Sequence, residues 1–478
     1  MTMNGSIRLL GCTLVVLAGV VAAPRARAAP LVTDAWLDET AGRWQEVARR
    51  VWGFHELAWE ERQSSALLAD VLEREGFAVE RGVAGIPTAF VARAGQGAPV
   101  IGLLAEYDAL PGLSQEAGAT AEKRLEAGAP GHGCGHNLLG TAAVAAGIAA
   151  NRARVADHLP GTIVLFGTPA EEQLTGKGFL ARAGVFDHVD AVLAWHPGTH
   201  NELVNRVRLA LSAMDVEFFG KTAHAAANPW FGRGALDAVE LLDHAMALMR
   251  EHVRPSARMH RVIKAGGTVP NVISDYAKVQ WWVRAANVTE LEELVGRVRK
   301  AADGVAAATE TRARVTLLAQ TRDVVPNDTL GGVLQRELER VGPPRWDAAD
   351  QEQARALQER LGVATSGLSD AVVPYGPAHG AGASSDIGET SAVAPLAELE
   401  VVTRPLGTPS HHWVVTSCSA HPIGFKGMGV AAKVLAASAV DLLRDPALVR
   451  AARAEFVKAT GGKPYRSPLA PDARPVSY

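Results

Sequence analysis

Residues 161–172 read GTIVLFGTPAEE. An unbroken apolar run of strand length, closed by a Gly-Thr-Pro turn and two glutamates, fits a strand buried on both faces. Two further stretches have the same form: PVIGLLAEYD at 99–108 and VDAVLAWHPG at 189–198. Between the first two lies NLLGTAAVAAGIAANRARV, residues 137–155, an Ala-rich helix. Upstream, LDETAGRWQEVARRVWGFHEL and SSALLADVLEREGF space their apolar residues as helices do, the second stopping at Gly76. Buried strands alternating with helices predict an α/β fold with a largely buried sheet.

From about residue 206 the texture changes. MDVEFFG and AKVQWWVRA read as half-exposed strands, and ALDAVELLDHAMALMREHV and TELEELVGRVRKAADGVAAAT as long amphipathic helices. They predict a compact α+β unit over 206–322, between segments 31–205 and 323–460. A Gly/Ser-rich stretch, GPAHGAGASSDIGE, and a strong helix, GVAAKVLAASAVDLL, follow. The tail from 461 to 478 is rich in proline and polar residues and is expected to be loosely packed.

The polar residues follow the strands. In open α/β sheets ligands bind beyond the carboxyl ends of the strands. There the three runs deliver Glu106 and Asp108, then Glu171 and Glu172, then His196. The connection after the first strand carries GHGCGHN, with His132, Cys134 and His136. A lone histidine after a strand is ordinarily structural, and paired glutamates ordinarily a solvated face. Four segments converging on one rim point instead to a divalent-metal site of thiolate, imidazole and carboxylate, zinc or manganese by donor type. One of the paired glutamates would bind metal while its neighbour accepts a proton, the division amide hydrolysis needs. His411 and His412, after a Gly-Thr-Pro turn, are as compatible with a plain loop as with a site.

The bulk composition excludes other classes. The chain has 478 residues, with 48 basic against 51 acidic side chains, so nothing points to nucleic acid or a membrane surface. At the N-terminus, Arg8, the run LLGCTLVVLAGVVAA and the small residues of ARA at 26–28 read as a signal peptide over 1–28, removed on export. No stable membrane insertion is expected after its removal, and the expected location is periplasmic or secreted. In an oxidising compartment the remaining cysteines, Cys134 and Cys418, would be candidates for a disulfide.

The stretches GLLAEYDALPG, GHGCGHNLLGT, GTPAEE, WHPG, GKTAHAAANPWFGRGALDAVEL, SSDIGE and GTPSHHW, in this order, carry a resemblance. Over residues 36 to 445 the chain is similar to the metal-dependent amidohydrolases related to aminoacylase, glutamate carboxypeptidase and the auxin-conjugate hydrolases. The resemblance implies a catalytic domain with a mixed, mostly parallel sheet flanked by helices, interrupted by a lid that also forms a homodimer. It implies two divalent metal ions held by Cys134, His136, Glu172, His196 and His411, with Cys134 bridging. Glu171 would be the general base and Asp108 would orient a ligand. His224 would reach a neighbouring subunit's site and polarise the scissile carbonyl. Asn271 and Arg284 would meet the substrate carboxylate. His412 stands where relatives usually carry a small hydroxyl residue and competes with His411 as a ligand. Cys418 is then expected to be free, since a disulfide would consume a ligand. The implied reaction is hydrolysis of the amide joining an acyl or aroyl group to an amino acid, p-aminobenzoyl-glutamate-like substrates favoured. A dipeptide-like substrate or general N-acyl amino acids are the alternative.

Overall fold

The computed structural model describes residues 31–376, 379–470 and 473–475, so the expected signal peptide lies outside the described residues. Thirteen strands occur there: β1 Ala78–Arg81, β2 Phe90–Gln96, β3 Val100–Ala105, β4 Gly161–Gly167, β5 Ala191–Gly198, β6 Glu202–Leu203, β7 Arg206–Arg208, β8 Ala210–Phe219, β9 Arg258–Ala265, β10 Tyr276–Ala285, β11 Arg312–Thr321, β12 His379–Gly382 and β13 Leu396–Val402. The larger sheet has the order β1-β2-β4-β3-β5-β13-β6. Its centre, β4-β3-β5-β13, is parallel, and the pairings β1–β2, β2–β4 and β13–β6 are antiparallel. The apolar runs are these central strands, and every residue of β4 and β13 is buried.

Two helices close one face of the sheet. The Ala-rich helix His136–Ala156 is apolar nearly all round because it packs on β3, β4 and β5, lies beside helix Pro422–Arg444 on the same face, and is covered outside by helix Ala41–Phe54. Pro422–Arg444 has the length and hydropathy of a membrane span but is mostly buried in this core. A Cβ on its Gly424 would stand 3.0 Å from the Leu138 side chain of the Ala-rich helix. Gly140 faces backbone directly: a Cβ there would stand 2.5 Å from the Glu106 carbonyl oxygen at the end of β3.

The inserted unit is a four-stranded antiparallel sheet, order β11-β8-β10-β9. Helices Ala235–Met249 and Val288–Ala308 cover one face, burying Leu242, Met246, Leu291 and Val298 against Met214, Val216, Phe218 and Trp281. Asn287 caps the second helix by accepting the Glu290 N–H at 3.0 Å. The half-exposed reading of MDVEFFG does not hold. β8 is a central strand, and its polar residues Asp215 and Glu217 are buried. Lys278 pairs with Asp215, and Arg314 grips Glu217 with two bonds of 2.7 Å, so long neighbouring side chains cover that face. At the junction, β7 pairs in parallel with β12, tying the outgoing chain to the returning catalytic segment before the insertion's own sheet begins at Ala210.

The tail also departs from expectation. Leu469 is buried beside Phe179 and Leu180, and the Tyr465 hydroxyl bonds the buried Glu389. Arg182 donates to the carbonyls of Ala470 and Ala473 at 3.0 Å each. Polar composition concealed one apolar anchor and a set of backbone acceptors, so the described residues 461–470 and 473–475 are docked rather than loose.

Candidate metal centre

The centre lies at the carboxyl ends of β3, β4, β5 and β13. β3 ends at Ala105 and delivers Glu106 and Asp108. The Gly-rich connection then turns into helix His136–Ala156, with Gly135 left-handed (φ 84°) at the cap position. The glycines serve the passage of backbone rather than the approach of metal: a Cβ on Gly131 would stand 2.0 Å from the Leu113 carbonyl oxygen, and one on Gly133 2.3 Å from its side chain. Cys134 and His136 project from this tight crossing. After β4, a short turn Glu171–Gln173 presents the two glutamates. β5 runs through His196 itself and ends at Gly198.

Cys134 Sγ stands 3.3 Å from His196 Nε2. His136 donates from Nδ1 to Asp108 Oδ1 at 2.8 Å, leaving its Nε2 buried without a hydrogen-bond partner. His196 donates from Nδ1 to the Pro197 carbonyl at 2.8 Å, which fixes Nε2 as its free lone pair. Arg404 Nη1 donates to that same carbonyl at 2.8 Å. Asp108 uses its other oxygen to accept the Glu172 N–H at 2.8 Å, so one carboxylate orients both a histidine and the glutamate turn. His411, left-handed at φ 55°, brings Nε2 to 3.3 Å from Glu172 Oε2. His412 is turned away: its Nδ1 accepts the Val414 N–H and caps helix Trp413–Ser419. His132 is spent on the Val51 carbonyl at 3.1 Å, outside the cluster.

These residues form two groups of three that share the thiol: Cys134, His136 and His196, and Cys134, Glu172 and His411, each with candidate ligand atoms within 4.8 Å of one another. Glu106, His136 and Glu171 form a third. Burial pushes Glu172 up to about 8. Burial, with Glu106 and Glu172 alongside, pushes Glu171 well above the ordinary carboxylate range. Burial, and then the charge of Glu172, pushes the Cys134 thiol up to about 12. Burial draws His196 down to about 3, leaving a neutral imidazole. Buried acids crowded together and an orphaned imidazole nitrogen are what a bound divalent cation would satisfy, and the donor set fits one.

A feature absent from the sequence reading lies behind the glutamates. Lys177 is fully buried, 2.8 Å from Glu106 Oε1 and 2.5 Å from Asp386 Oδ1. Burial alone would raise Glu106, but Lys177 brings it down to about 2. Glu106 is therefore an ionised neighbour with its own counter-ion, 3.3 Å from His136 Nε2. The EYD triplet placed Glu106 beside the site in sequence, but GKG carries no sign that its lysine is buried.

Three sequence candidates lie outside this cluster. His224 is exposed on the inserted unit, its Nδ1 accepting the N–H groups of Ala226 and Ala227 at 3.2 Å each. Asn271 is exposed on the strand-like segment facing it, where its carbonyl accepts the Ala225 N–H. Arg284 stacks on Trp282 and donates from Nε to Ser384 Oγ at 3.1 Å, spanning the two units. Cys134 and Cys418 are both free, as the ligand reading requires.

A sequence profile of the peptidase family M20/M25/M40 matches residues 102–468. The chain is 37% identical over 460 residues to one of the subunits of the p-aminobenzoyl-glutamate hydrolase of Escherichia coli, covering 91% of this chain and 96% of that one. It is 31% identical over 446 residues to the Xaa-Arg dipeptidase of Mus musculus, covering 88% and 90%. Among solved structures, a dinuclear metal-binding peptidase of the M20 family from Bacillus subtilis superposes with a TM-score of 0.57 at 19% identity, over 85% of this chain and 99% of that one. Family and geometry converge: the chain belongs to the peptidase family M20/M25/M40 and is a metal-dependent amidohydrolase.

Proposed function

We propose that the protein hydrolyses the amide between an acyl or aroyl group and an amino acid, with p-aminobenzoyl-glutamate-like substrates favoured, using two divalent ions, zinc or manganese. The observation that carries the reading is the thiol shared by two ligand groups with an unassigned glutamate beside them. Cys134 would be shared by the two ions, with His136 and His196 holding one and Glu172 and His411 the other. Bound divalent ions supply Lewis-acid polarisation of the carbonyl and a lowered water pKa. Glu171 takes the proton of the attacking water at its carboxylate and passes it to the leaving amine nitrogen. Asp108 holds His136 and the Glu172 backbone in place.

His224 faces solvent within its own chain, which fits a group serving a second copy. The inserted unit supports such pairing: Leu241 and Leu248 are exposed on its helix, and Val262 and Ile263 on edge strand β9. We read the functional form as a homodimer through this unit, with Asn271 and Arg284 as candidates for the substrate carboxylate. The N-terminal segment supports a periplasmic or secreted location. Similarity to the mouse dipeptidase favours a second reading, cleavage of dipeptides by the same residues.

One experiment tests both readings. The purified protein is loaded separately with zinc and manganese and assayed on p-aminobenzoyl-glutamate, other N-acyl amino acids and Xaa-Arg dipeptides. Hydrolysis that chelation abolishes and metal restores is expected. Undiminished turnover in metal-free protein would sink the mechanism, and the preferred substrate separates the two readings.

A further inference from the structure

We propose that the loop of residues 55–61, joining two surface helices, is a clamp that holds the Glu171–Gln173 turn in a strained form, with Glu61 and Trp59 as positioning residues for the glutamate pair. The inference rests on the reading of Glu171 as base and Glu172 as ligand.

The turn needs holding. It is bracketed by two left-handed residues that are not glycine, Ala170 at φ 58° and Leu174 at φ 56°. A Cβ is disfavoured there, and such strain persists only where surroundings over-determine it. Asp108 holds the middle of the turn through the Glu172 N–H, and two further contacts fix its ends, both from one loop. Glu61 Oε1 accepts the Ala170 N–H at 2.9 Å, and Trp59 Nε1 donates to Gln173 Oε1 at 3.0 Å. One grips the turn's entrance and the other its far end.

The loop is itself fixed. His55 and Trp59 are left-handed, at φ 38° and 71°. The Glu56 carboxylate accepts the N–H groups of Gln63 and Ser64 at 2.9 Å each, anchoring the start of helix Arg62–Arg74. The Glu56 carbonyl accepts the Ala109 N–H at 2.8 Å, one residue beyond Asp108. Trp59 also rests edge-on against Phe179 of the helix that follows the turn. One loop thus grips both segments that bring carboxylates to the centre.

Glu61 is fully buried, and its Oε2 has no hydrogen-bond partner. A carboxyl group is a poor choice for filling that space, so its use points to the Ala170 bond. Burial and the nearby Asp108 push it up to about 8, and glutamine, neutral and with the same acceptor oxygen, is its close copy.

The test pairs hydrogen exchange of the peptide spanning 168–175 with steady-state kinetics of the metal-loaded enzyme. In Glu61→Ala, exchange there should rise about 10-fold or more while helix 136–156 stays protected. In the same variant kcat should fall about 10- to 100-fold with KM little changed, because a misplaced base costs rate rather than binding. Glu61→Gln keeps the acceptor and should behave as wild type. Ala170→Gly removes the Cβ cost, so Glu61→Ala/Ala170→Gly should recover most of the lost protection and rate. If Glu61→Ala does not fold, Trp59→Phe decides: it keeps the ring on Phe179, loses the donor, and should loosen the same peptide. Unchanged exchange and kcat in the variant that folds, or no recovery from Ala170→Gly in the Glu61→Ala background, overturns the clamp. If the wild-type enzyme cleaves no amide, the base reading fails separately and the exchange measurements still decide the clamp.

Discussion

The proposed division of duties between the adjacent glutamates rests on what each touches. Glu172 faces His411, and its backbone is held by Asp108. Glu171 lies within 4.0 Å of His136 Nε2 on the side of Glu106 and Lys177. Glu171→Gln is expected to keep metal and lower kcat by about 10²-fold or more, whereas Glu172→Gln loses metal; metal analysis with kinetics of both shows it. Exchanged phenotypes would reverse the pair. The thiol makes a second prediction. A free thiol raised to about 12 and a carboxyl raised to about 8 bind protons that a cation must displace. Metal binding should therefore release protons and tighten as pH rises between about 6 and 8. Calorimetry in buffers of different ionisation enthalpy measures that release, and pH-independent affinity would contradict a thiolate ligand. Cys134, His136, Glu172 and His196 could be found in the sequence because each lies at the end of an apolar strand run or in the turn that leads into a helix. Lys177, Glu61 and Arg404 could not, because burial of a lone charged residue leaves no periodic trace.

Elements were most legible where both faces are covered by the protein itself. β3, β4 and β5 appear as unbroken apolar runs, and the helix at 136–156 as an alanine tract. β8 was misjudged because alternation of apolar and charged residues ordinarily marks one wet face. Here Lys278 and Arg314 from the flanking strands shield the charged side. The tail was misjudged because its hold is one buried leucine, the Tyr465 hydroxyl on Glu389 and a few carbonyl acceptors. That hold is testable. Leu469→Ala should destabilise by about 2–4 kcal/mol, as a buried leucine does. Val457→Ala, at a position 43% exposed in the preceding helix, should change stability little. Equal unfolding midpoints for the two variants in denaturant would show that the tail is not an integral part of the fold.

Across the whole molecule, the change of texture near residue 206 marked the insertion, and the chain does leave the larger sheet there. Sequence could not show which residues of the insertion face the centre and which face outward, since a periodic pattern records that a face is covered and not what covers it. If His224 serves a neighbouring subunit, His224→Ala and His196→Ala are each inactive for different reasons. Mixed with verified subunit exchange, they should regain up to about a quarter of wild-type activity, since half the dimers are mixed and each has one complete site. Mixed dimers that form yet stay inactive would return His224 to a surface role.

The order of strands in the larger sheet has a consequence for synthesis. β13 fills the place between β5 and β6, although roughly 200 residues separate it from β5 in the chain. At roughly 5–20 residues per second, β5 leaves the ribosome tens of seconds before its partner exists. During that interval its apolar edge is unpaired, His411 has not been made, and the centre cannot form. The nascent chain therefore stays unfinished until nearly all of it has been translated, a state compatible with export of an unfolded polypeptide to the proposed location. Chains stopped before residue 390 should bind chaperones and aggregate when released, while chains extending through 475 should not; pelleting of both from a cell-free translation shows the difference.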